Sequence, residues 1–553
     1  MASVELADEQ RALDDARQAA ADKLASLQTI ELMAADDVSQ EYMEAVVRGA
    51  VEKLSRELTV FGRIDDEEVW RVGLYGVQKD HTPVVIDWRA PFAQSFYQAG
   101  FDDPQGLQRR VSYVGSIDEL FIEEFTNGQV TGSSPLMAEL SRSRGETMKT
   151  AVATLQAEQD ELVRRDPDES MVIRGGPGTG KTVVGLHRAA WIVYTDQRLL
   201  SAELILVIGP TDKYLEYVSS VLPTLGEAKV RQSTLARLLG ATSAIGAAID
   251  WPTVLDRFEA SLYKREEVMI RRKRVPAEVS IEILDRVAAS KLPWRKKRAG
   301  VVAGLARFSE RPDAQVREAA AELMPPMSAK QAFKRLRNRD VLLRCGVEAE
   351  QIDAWLLVED DGPLRDELKA RFEQPPMQYS HVIVDEAQDL TVMQMRAVRR
   401  RAKGMTFVGD DAQTSVSGAV GLRAIARELK IEPTELATAY RMSAEIVDWL
   451  NDVAQATDLP AVVLIGIRPN GIAVQLNERF DVAEKRLDAA YDNWRVLRHG
   501  EVWSHKGIEY DAVLVDAADM SPAELYLAAS RAAHELVVCN FGPLVSSYDH
   551  GTT

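Results

Sequence analysis

The clearest chemistry lies in Gly175-Gly176-Pro177-Gly178-Thr179-Gly180-Lys181-Thr182, which fits the pattern G-x-x-x-x-G-K-[ST]. Glycines in such a run let successive backbone N–H groups turn inward and cradle phosphate oxygens at a helix N-terminus. Lys181 adds a point charge for the β- and γ-phosphates, and the Thr182 hydroxyl is the natural Mg²⁺ ligand. The run follows the apolar Met171-Val172-Ile173 and precedes a helical pattern from Val183 to Trp191, the strand–loop–helix setting this chemistry needs. Hydrolysis also needs carboxylates. A second apolar run, His381-Val382-Ile383-Val384, ends in Asp385-Glu386-Ala387-Gln388-Asp389. Asp385 at the strand end would hold Mg²⁺ through water, and Glu386 would orient and deprotonate the attacking water. Carboxylates so placed often only cap the next helix, but the phosphate loop upstream favours the metal and base reading. Together the two runs predict a Mg²⁺-dependent nucleoside triphosphatase.

Rigid elements must stand behind these side chains. From about residue 141 onward, strongly apolar runs at 171–173, 204–208, 381–384, 406–408, 512–515 and 536–539 alternate with helical sequence. Strands apolar on both faces and separated by helices predict a parallel sheet in an α/β fold. Upstream, short β-like runs at 70–77, 84–88, 110–114 and 119–122, divided by Gly, Pro and Asp, predict a small β-rich block. The first sixty residues read as two amphipathic helices. Leu6, Leu13, Ala16, Ala20, Leu24 and Leu27, then Met43, Val46, Val47, Ala50, Leu54 and Leu58, recur at threes and fours around Ala34-Ala35-Asp36-Asp37. They predict an antiparallel hairpin, either projecting as an arm or lying flat on the body. Residues 241–375 interrupt the alternation with helical, locally basic sequence. Lys264–Arg298 holds 12 Lys/Arg against 5 Asp/Glu, with Trp294 in its densest part.

The chain's 553 residues exceed one compact domain, and 46% hydrophobic with 27% charged content excludes general disorder. No run reaches the ~18 apolar residues of a membrane helix. The acidic start MASVELADEQ lacks the basic-then-apolar pattern of an export signal, which predicts a cytoplasmic protein. Two cysteines, Cys345 and Cys539, are too few for a disulfide scaffold or a four-thiolate metal site. The net charge is −18, so nucleic acid is repelled on average and contact with it needs a local patch such as 264–298.

Asp385-Glu386-Ala387-Gln388-Asp389 resembles the second nucleotide motif of UvrD/Rep-type superfamily-one helicases, and further motifs of that group follow in order. Gln159 stands where those enzymes place a glutamine that reads adenine. Val408-Gly409-Asp410-Asp411-Ala412-Gln413 resembles the motif whose glutamine senses the γ-phosphate. Ala439-Tyr440-Arg441 resembles N-Y-R, in which tyrosine stacks on the base and arginine reaches the γ-phosphate. Lys506-Gly507-Ile508-Glu509-Tyr510 resembles K-G-L-E-F, whose glutamate contacts ribose. Ser530-Arg531-Ala532 resembles T-R-A, which supplies a second arginine finger. The resemblance implies two RecA-like P-loop domains closing on ATP or GTP. Lys181, Glu386, Gln413, Arg441 and Arg531 would be catalytic. Gln159, the 175–182 loop, Tyr440 and Glu509 would bind nucleotide, and Thr182 and Asp385 would hold Mg²⁺.

Two departures stand out. UvrD-type helicases carry aromatics after the sensing glutamine, and bases stack on them for roughly 1–3 kcal/mol each; here Thr414–Val420 has none. The accessory domain those enzymes insert before K-G-L-E-F is also missing, since only Met442–Trp503 separates the motifs. Both weigh against the alternative reading, a UvrD/Rep-type 3′–5′ DNA helicase or translocase in DNA repair.

What stands instead resembles the HelD family of RNA polymerase-associated relatives. The residues are Phe61-Gly62-Arg63-Ile64-Asp65, then Val85-Ile86-Asp87-Trp88-Arg89-Ala90-Pro91, and Gly209-Pro210 leading to Val221–Glu227. That resemblance implies an arm entering the polymerase secondary channel, with the acidic Asp36-Asp37 turn leading, and an insertion reaching the main channel. It implies NTP-linked release or recycling of stalled polymerase by a monomer bound to the bacterial core enzyme. Some actinobacterial relatives also protect polymerase from rifamycins. The organisation expected is a coiled-coil arm at 1–62, a β-rich segment at 63–140, and a first RecA-like domain at 141–240 and 376–429. The helical insertion at 241–375 and a second RecA-like domain at 430–553, a short stretch for one, complete it.

Overall fold

The computed structural model describes residues 2–29, isolated positions between 40 and 55, and 57–114, 119–132, 134–136, 154–195, 204–225, 227, 229–309, 314–416 and 418–542. It is a mixed α/β protein with parallel sheets. Strands β1 (Val60–Asp65), β2 (Val69–Gly73), β3 (Val77–Lys79), β4 (Thr82–Asp87), β5 (Arg109–Tyr113), β6 (Leu120–Glu124) and β7 (Gln129–Thr131) form the first sheet. Its order is β3-β4-β2-β1-β5-β6-β7. Strand β1 crosses the boundary expected at residue 62. It evades sequence reading because Gly62, Arg63 and Asp65 break its apolar run, although Arg63 and Asp65 pair with each other at 2.6 Å.

Helix Ala2–Gln28 packs on this sheet through Leu13, Ala16, Ala19 and Ala20, all buried. The alanines let helix and sheet approach closely. Glu9, 4% exposed, accepts Arg71 Nε at 2.7 Å and Arg63 Nη1 at 3.2 Å, and also takes the Tyr113 hydroxyl. Burial opposes the Glu9 charge, but these donors outweigh it and hold its carboxyl below the ordinary value. Of the two placements open to the hairpin, Glu9–Ala20 takes the flat one. From Ala21 to Thr29 only Leu24 and Leu27 are even half-buried. The described positions from Gln40 to Leu54 are helical, while Asp36 and Asp37 lie outside the described residues.

The second sheet is wholly parallel. It takes β8 (Met171–Gly175), β9 (Ile205–Gly209), β10 (Arg231–Thr234), β13 (Tyr379–Val384), β14 (Ala402–Gly409) and β15 (Thr434–Leu436) in the order β10-β9-β13-β14-β8-β15. Strand β15 lies beyond the boundary expected at 429, yet it pairs with β8. Only Leu436 of its three residues is buried, too little apolar signal to read. Between β10 and β13 the chain builds a separate core around Trp251, Phe258, Trp294, Trp355 and Phe372. This insertion is not purely helical. Strands β11 (Val268–Ile270) and β12 (Lys273–Val275) pair as a hairpin. Trp294 is buried, its Nε1 donating to Pro325 O at 2.8 Å, so it packs rather than presents itself to a ligand.

After the short pair β16 (Thr438–Ala439) and β17 (Ile465–Gly466), the third sheet joins β18 (Gln475–Leu476), β19 (Trp494–Arg498), β20 (Tyr510–Asp516) and β21 (Ala532–Cys539). It is parallel, in the order β18-β21-β20-β19. Among the described residues no helix is long and apolar enough to cross a membrane.

A candidate nucleotide site

Register brings the functional loops together. β8, β13 and β14 run parallel, with Gly409 opposite Arg174 and Val384 opposite Phe407. Their following loops, 176–180, 385–389 and 410–413, therefore leave one edge of the sheet, at the carboxyl ends where open α/β sheets take ligands. Gly178 and Gly180 have φ of +72° and +80°, a conformation that residues with a Cβ rarely adopt. Lys181 Nζ donates to Gly176 O at 2.6 Å, folding the lysine over its own loop. Thr182 Oγ1 donates to Asp385 Oδ2 at 2.6 Å. Two hard oxygens side by side suit Mg²⁺, which usually takes one or two protein oxygens and fills its octahedron with phosphate and water.

Glu386 sits beside them with φ +54°, ψ +39°, a left-handed conformation that costs a non-glycine residue about 1–3 kcal/mol. The kink aims its carboxylate at Gln388 Nε2 (2.6 Å) and Lys506 Nζ (3.2 Å). Burial would raise the Glu386 pKa, but the charges of Lys506 and Lys181 prevail and hold it below the ordinary value. Asp385 moves the other way, raised by burial and by the Glu386 charge. The two carboxyls are thus pushed apart, the arrangement by which one site separates the roles of two acids.

The C-terminal portion closes over this edge. Arg531, 5% exposed, donates to Leu527 O and Ser530 Oγ and lies 3.5 Å from Gln413 Oε1. Gln413 Nε2 in turn donates to Asp410 Oδ2 at 3.0 Å. Tyr440 N donates to Gly178 O at 3.0 Å, and its hydroxyl to Glu158 Oε1 at 2.6 Å. Arg441 and Glu509 form a close ion pair. Gln159 is buried and fully placed: Nε2 donates to Thr179 O at 3.0 Å, and Oε1 accepts Gln156 N at 3.1 Å. It braces the phosphate loop.

Lys506, which opens the Lys506-Gly507-Ile508-Glu509-Tyr510 motif, carries a role that its sequence context does not signal. Its ammonium meets Asp389 Oδ2 at 2.7 Å and Gln413 O at 2.9 Å as well as Glu386. Burial works against the ammonium, and the charges of Glu386 and Asp389 overcome this and raise its pKa. Arg174 was also missed. Buried at the end of β8, it binds Asp411 Oδ2 (3.1 Å), Glu435 and Pro460 O (2.9 Å), tying the sheet to the C-terminal portion.

Residues 4–120 match the family described as DNA helicase IV HelD, N-terminal domain, and residues 159–419 match an AAA domain. No curated protein matches the chain. Among solved structures, the arterivirus nonstructural protein 10 helicase is similar at 12% identity, both with DNA (TM-score 0.30) and alone (0.28), over 70% of this chain and 64% of that one. The helicase of PRRSV is similar at 12% identity and TM-score 0.27, over 68% of this chain and 54% of the other. The chain thus spans less than two thirds of the length of these viral helicases. Together the two matches give this chain a HelD-like N-terminal domain followed by a UvrD/Rep-like nucleotide domain.

Proposed function

We propose that the protein is a Mg²⁺-dependent nucleoside triphosphatase that binds bacterial RNA polymerase in the cytoplasm and uses nucleotide-driven closure to release or recycle stalled polymerase. The observation that carries the catalytic part is the convergence of Thr182, Asp385, Glu386, Lys506, Gln413 and Arg531 from two sheets onto the phosphate loop. The 376–429 stretch with β15 and the phosphate-loop segment acts as one RecA-like half, and the C-terminal sheet as the other. Incoming phosphates would draw Lys181 away from Gly176 O, and Thr182 and Asp385 would hold Mg²⁺, which would supply charge to the phosphate oxygens. Glu386 takes the proton of the attacking water while Gln413 reports the γ-phosphate. Arg441 leaves Glu509 for the γ-phosphate, freeing Glu509 for ribose; Tyr440 leaves Glu158 to stack on the base; Arg531 supplies the second finger. Because both ends of the Gln159 amide are engaged by protein, the site takes GTP as well as ATP.

The partner part rests on the match of residues 4–120 to the HelD N-terminal domain and on charge. An acidic body competes with nucleic acid for basic channels. Residues 264–298 supply nucleic acid contact through Arg271, Arg272 and Lys273, exposed at the β11–β12 turn. Segment 414–420 has no aromatic side chain, and Ser415 is bonded back to Asp389 at 2.6 and 2.7 Å, which disfavours strand unwinding.

Glu386→Gln tests the catalytic reading. General-base catalysis contributes about 10²–10⁴-fold. Hydrolysis of ATP and GTP is expected to fall at least about 100-fold while nucleotide affinity, measured by equilibrium titration, stays within a few-fold. Wild-type turnover by the variant would remove Glu386 as the base. Efficient unwinding of a partial duplex at physiological salt would favour the helicase reading instead.

A further inference from the structure

Where the insertion meets the parallel sheet there is an open-mouthed cavity of about 830 Å³. That is within the ~300–1,000 Å³ of small-molecule sites. Five helices wall it: Trp251–Ser261, Ala277–Ala288 with the turn after it, Trp294–Ala306, Gly362–Phe372, and Val392–Arg401. Its charge runs against that of the chain. Six cations (Lys291, Lys297, Arg371, Arg396, Arg399 and Arg400) face only three carboxylates (Asp256, Glu259 and Glu367), in a protein of net charge −18.

The carboxylates do not exhaust the donors. Glu367, 2% exposed, accepts Arg371 Nε at 2.9 Å and Arg396 Nη2 at 2.8 Å, and also pairs with Arg400. Burial alone would raise its pKa; these guanidinium groups bring it down to about 2, so it is always ionised. One carboxylate offers roughly four acceptor sites, whereas each guanidinium carries about five N–H donors. Asp256 and Glu259 are engaged by Arg371 and Lys297 at 2.6 Å each. From behind the wall Asp366 holds Arg400 and Arg401, and Glu428 holds Arg399 at 2.7 Å. After all of this, Arg400 Nε is buried without an acceptor. A buried, unanswered N–H is costly, about 1–3 kcal/mol. Lys291, exposed at the mouth, has no ion-pair partner among the described residues. Tyr263, Leu292 and Pro293 form an apolar lip next to it.

We infer that this cavity binds a small polyphosphate anion, inorganic or the tail of a nucleotide, on the spare donors of Arg396, Arg399, Arg400 and Lys291. Phosphate oxygens match the guanidinium fork, and several on one ligand satisfy converging donors that no single carboxylate reaches. A nucleotide's ring would rest against Tyr263 and Leu292. A continuous nucleic acid backbone calls for cations spread along a groove, whereas these converge on a pocket. The site is separate from the phosphate loop. It joins the insertion to helix Val392–Arg401, which begins just after Asp385–Asp389, so its occupant would stiffen the insertion against the sheet carrying the catalytic carboxylates.

The test uses the full chain carrying Lys181→Ala, which silences the phosphate loop. Inorganic tripolyphosphate and ATP are titrated calorimetrically, and acylation of Lys291 is followed by mass spectrometry with and without each. One equivalent is expected to bind and to protect Lys291. Arg399→Glu and Lys291→Glu, both at exposed side chains and checked by unchanged melting, are expected to weaken binding at least ten-fold. Tighter binding of ATP would assign the source to a nucleotide, and equal binding to the polyphosphate itself; either supports the site. Unprotected Lys291, or affinity indifferent to both substitutions, would overturn it. So would displacement by a single-stranded oligonucleotide with an affinity that rises with length, because the occupant would then be a nucleic acid backbone.

Discussion

Lys506 reaches from the C-terminal portion into a pocket of carboxylate and carbonyl oxygens, and its charge keeps Glu386 ionised despite burial. Lys506→Met removes that cation. The Glu386 pKa then rises, and a base that must be ionised needs a higher pH, so the acid limb of the kcat–pH profile moves upward. Loss of one preorganised charge at a closed site costs about 10²–10³-fold in kcat. Lys506→Arg keeps the charge and is expected to recover part of the rate and most of the pH profile. An unmoved acid limb in Lys506→Met would restrict Lys506 to holding the two portions together. The phosphate loop and the Asp385-Glu386 pair are legible from sequence because each is contiguous and follows an apolar strand. Lys506 is not, since its partners lie 93 and 117 residues away. Arg174 is hidden the same way, its contacts 237 to 286 residues distant.

Elements meet at two buried polar seams. At the first, the Asp87-Trp88-Arg89 turn after β4 docks the N-terminal sheet onto the nucleotide domain. Arg89, fully buried, binds Asp87 Oδ2 at 2.7 Å and Glu227 Oε1 at 2.6 Å, and its guanidinium lies 4.9 Å from the Tyr194 ring centroid. Arg164 caps the same turn by donating to Trp88 O at 2.7 Å. Arg89→Met removes the buried cation that bridges Asp87 to Glu227 and is expected to cost about 3–5 kcal/mol, read as a lower urea midpoint. A loss below 1 kcal/mol would mean that water already reaches the seam. At the second, His381 in β13 joins Pro167 O (2.8 Å) to Thr406 Oγ1 (2.9 Å). Burial, with the nearby Arg188 charge, pushes its pKa from 6.5 down to about 3. The folded ring refuses a proton that the unfolded ring accepts. Its contribution is therefore complete above pH ~6.5 and is lost as pH falls toward 3, at about 1.4 kcal/mol per pH unit. His381→Gln is expected to flatten the stability decline between pH ~6.5 and ~5, measured by urea unfolding. The strands of the parallel sheet could be read because burial on both faces makes them apolar throughout. The edge strand β10, Arg-Gln-Ser-Thr, could not, because only Thr234 is buried.

Over the whole molecule the first helix is both anchor and approach. Its Glu9–Ala20 stretch belongs to the body, since Glu9 holds Arg63, Arg71 and Tyr113 beneath it. The sequence showed the helical stripe but not which part of it would be covered, because Leu13 and Leu24 look alike until the sheet beneath one of them is known. This changes how a polymerase-binding arm must be tested. A chain cut at residue 60 loses Glu9, takes from Arg71 and the Tyr113 hydroxyl their acceptor at about 3–5 kcal/mol, and would lose partners through unfolding alone. Reversing charge at the proposed tip, Asp36→Lys with Asp37→Lys, leaves the docked stretch intact. If the acidic turn leads into a basic channel, the double variant retains its melting temperature and nucleoside triphosphatase rate. Its association with core polymerase, after nuclease treatment to remove bridging nucleic acid, slows several-fold at low salt. That difference shrinks as the Debye length falls from ~10 Å at 0.1 M to ~3 Å at 1 M salt. Co-purification and association kinetics at two ionic strengths read both. Equal association at low salt would remove tip electrostatics from the proposal, and failure of the unaltered chain to bind core polymerase would remove the partner.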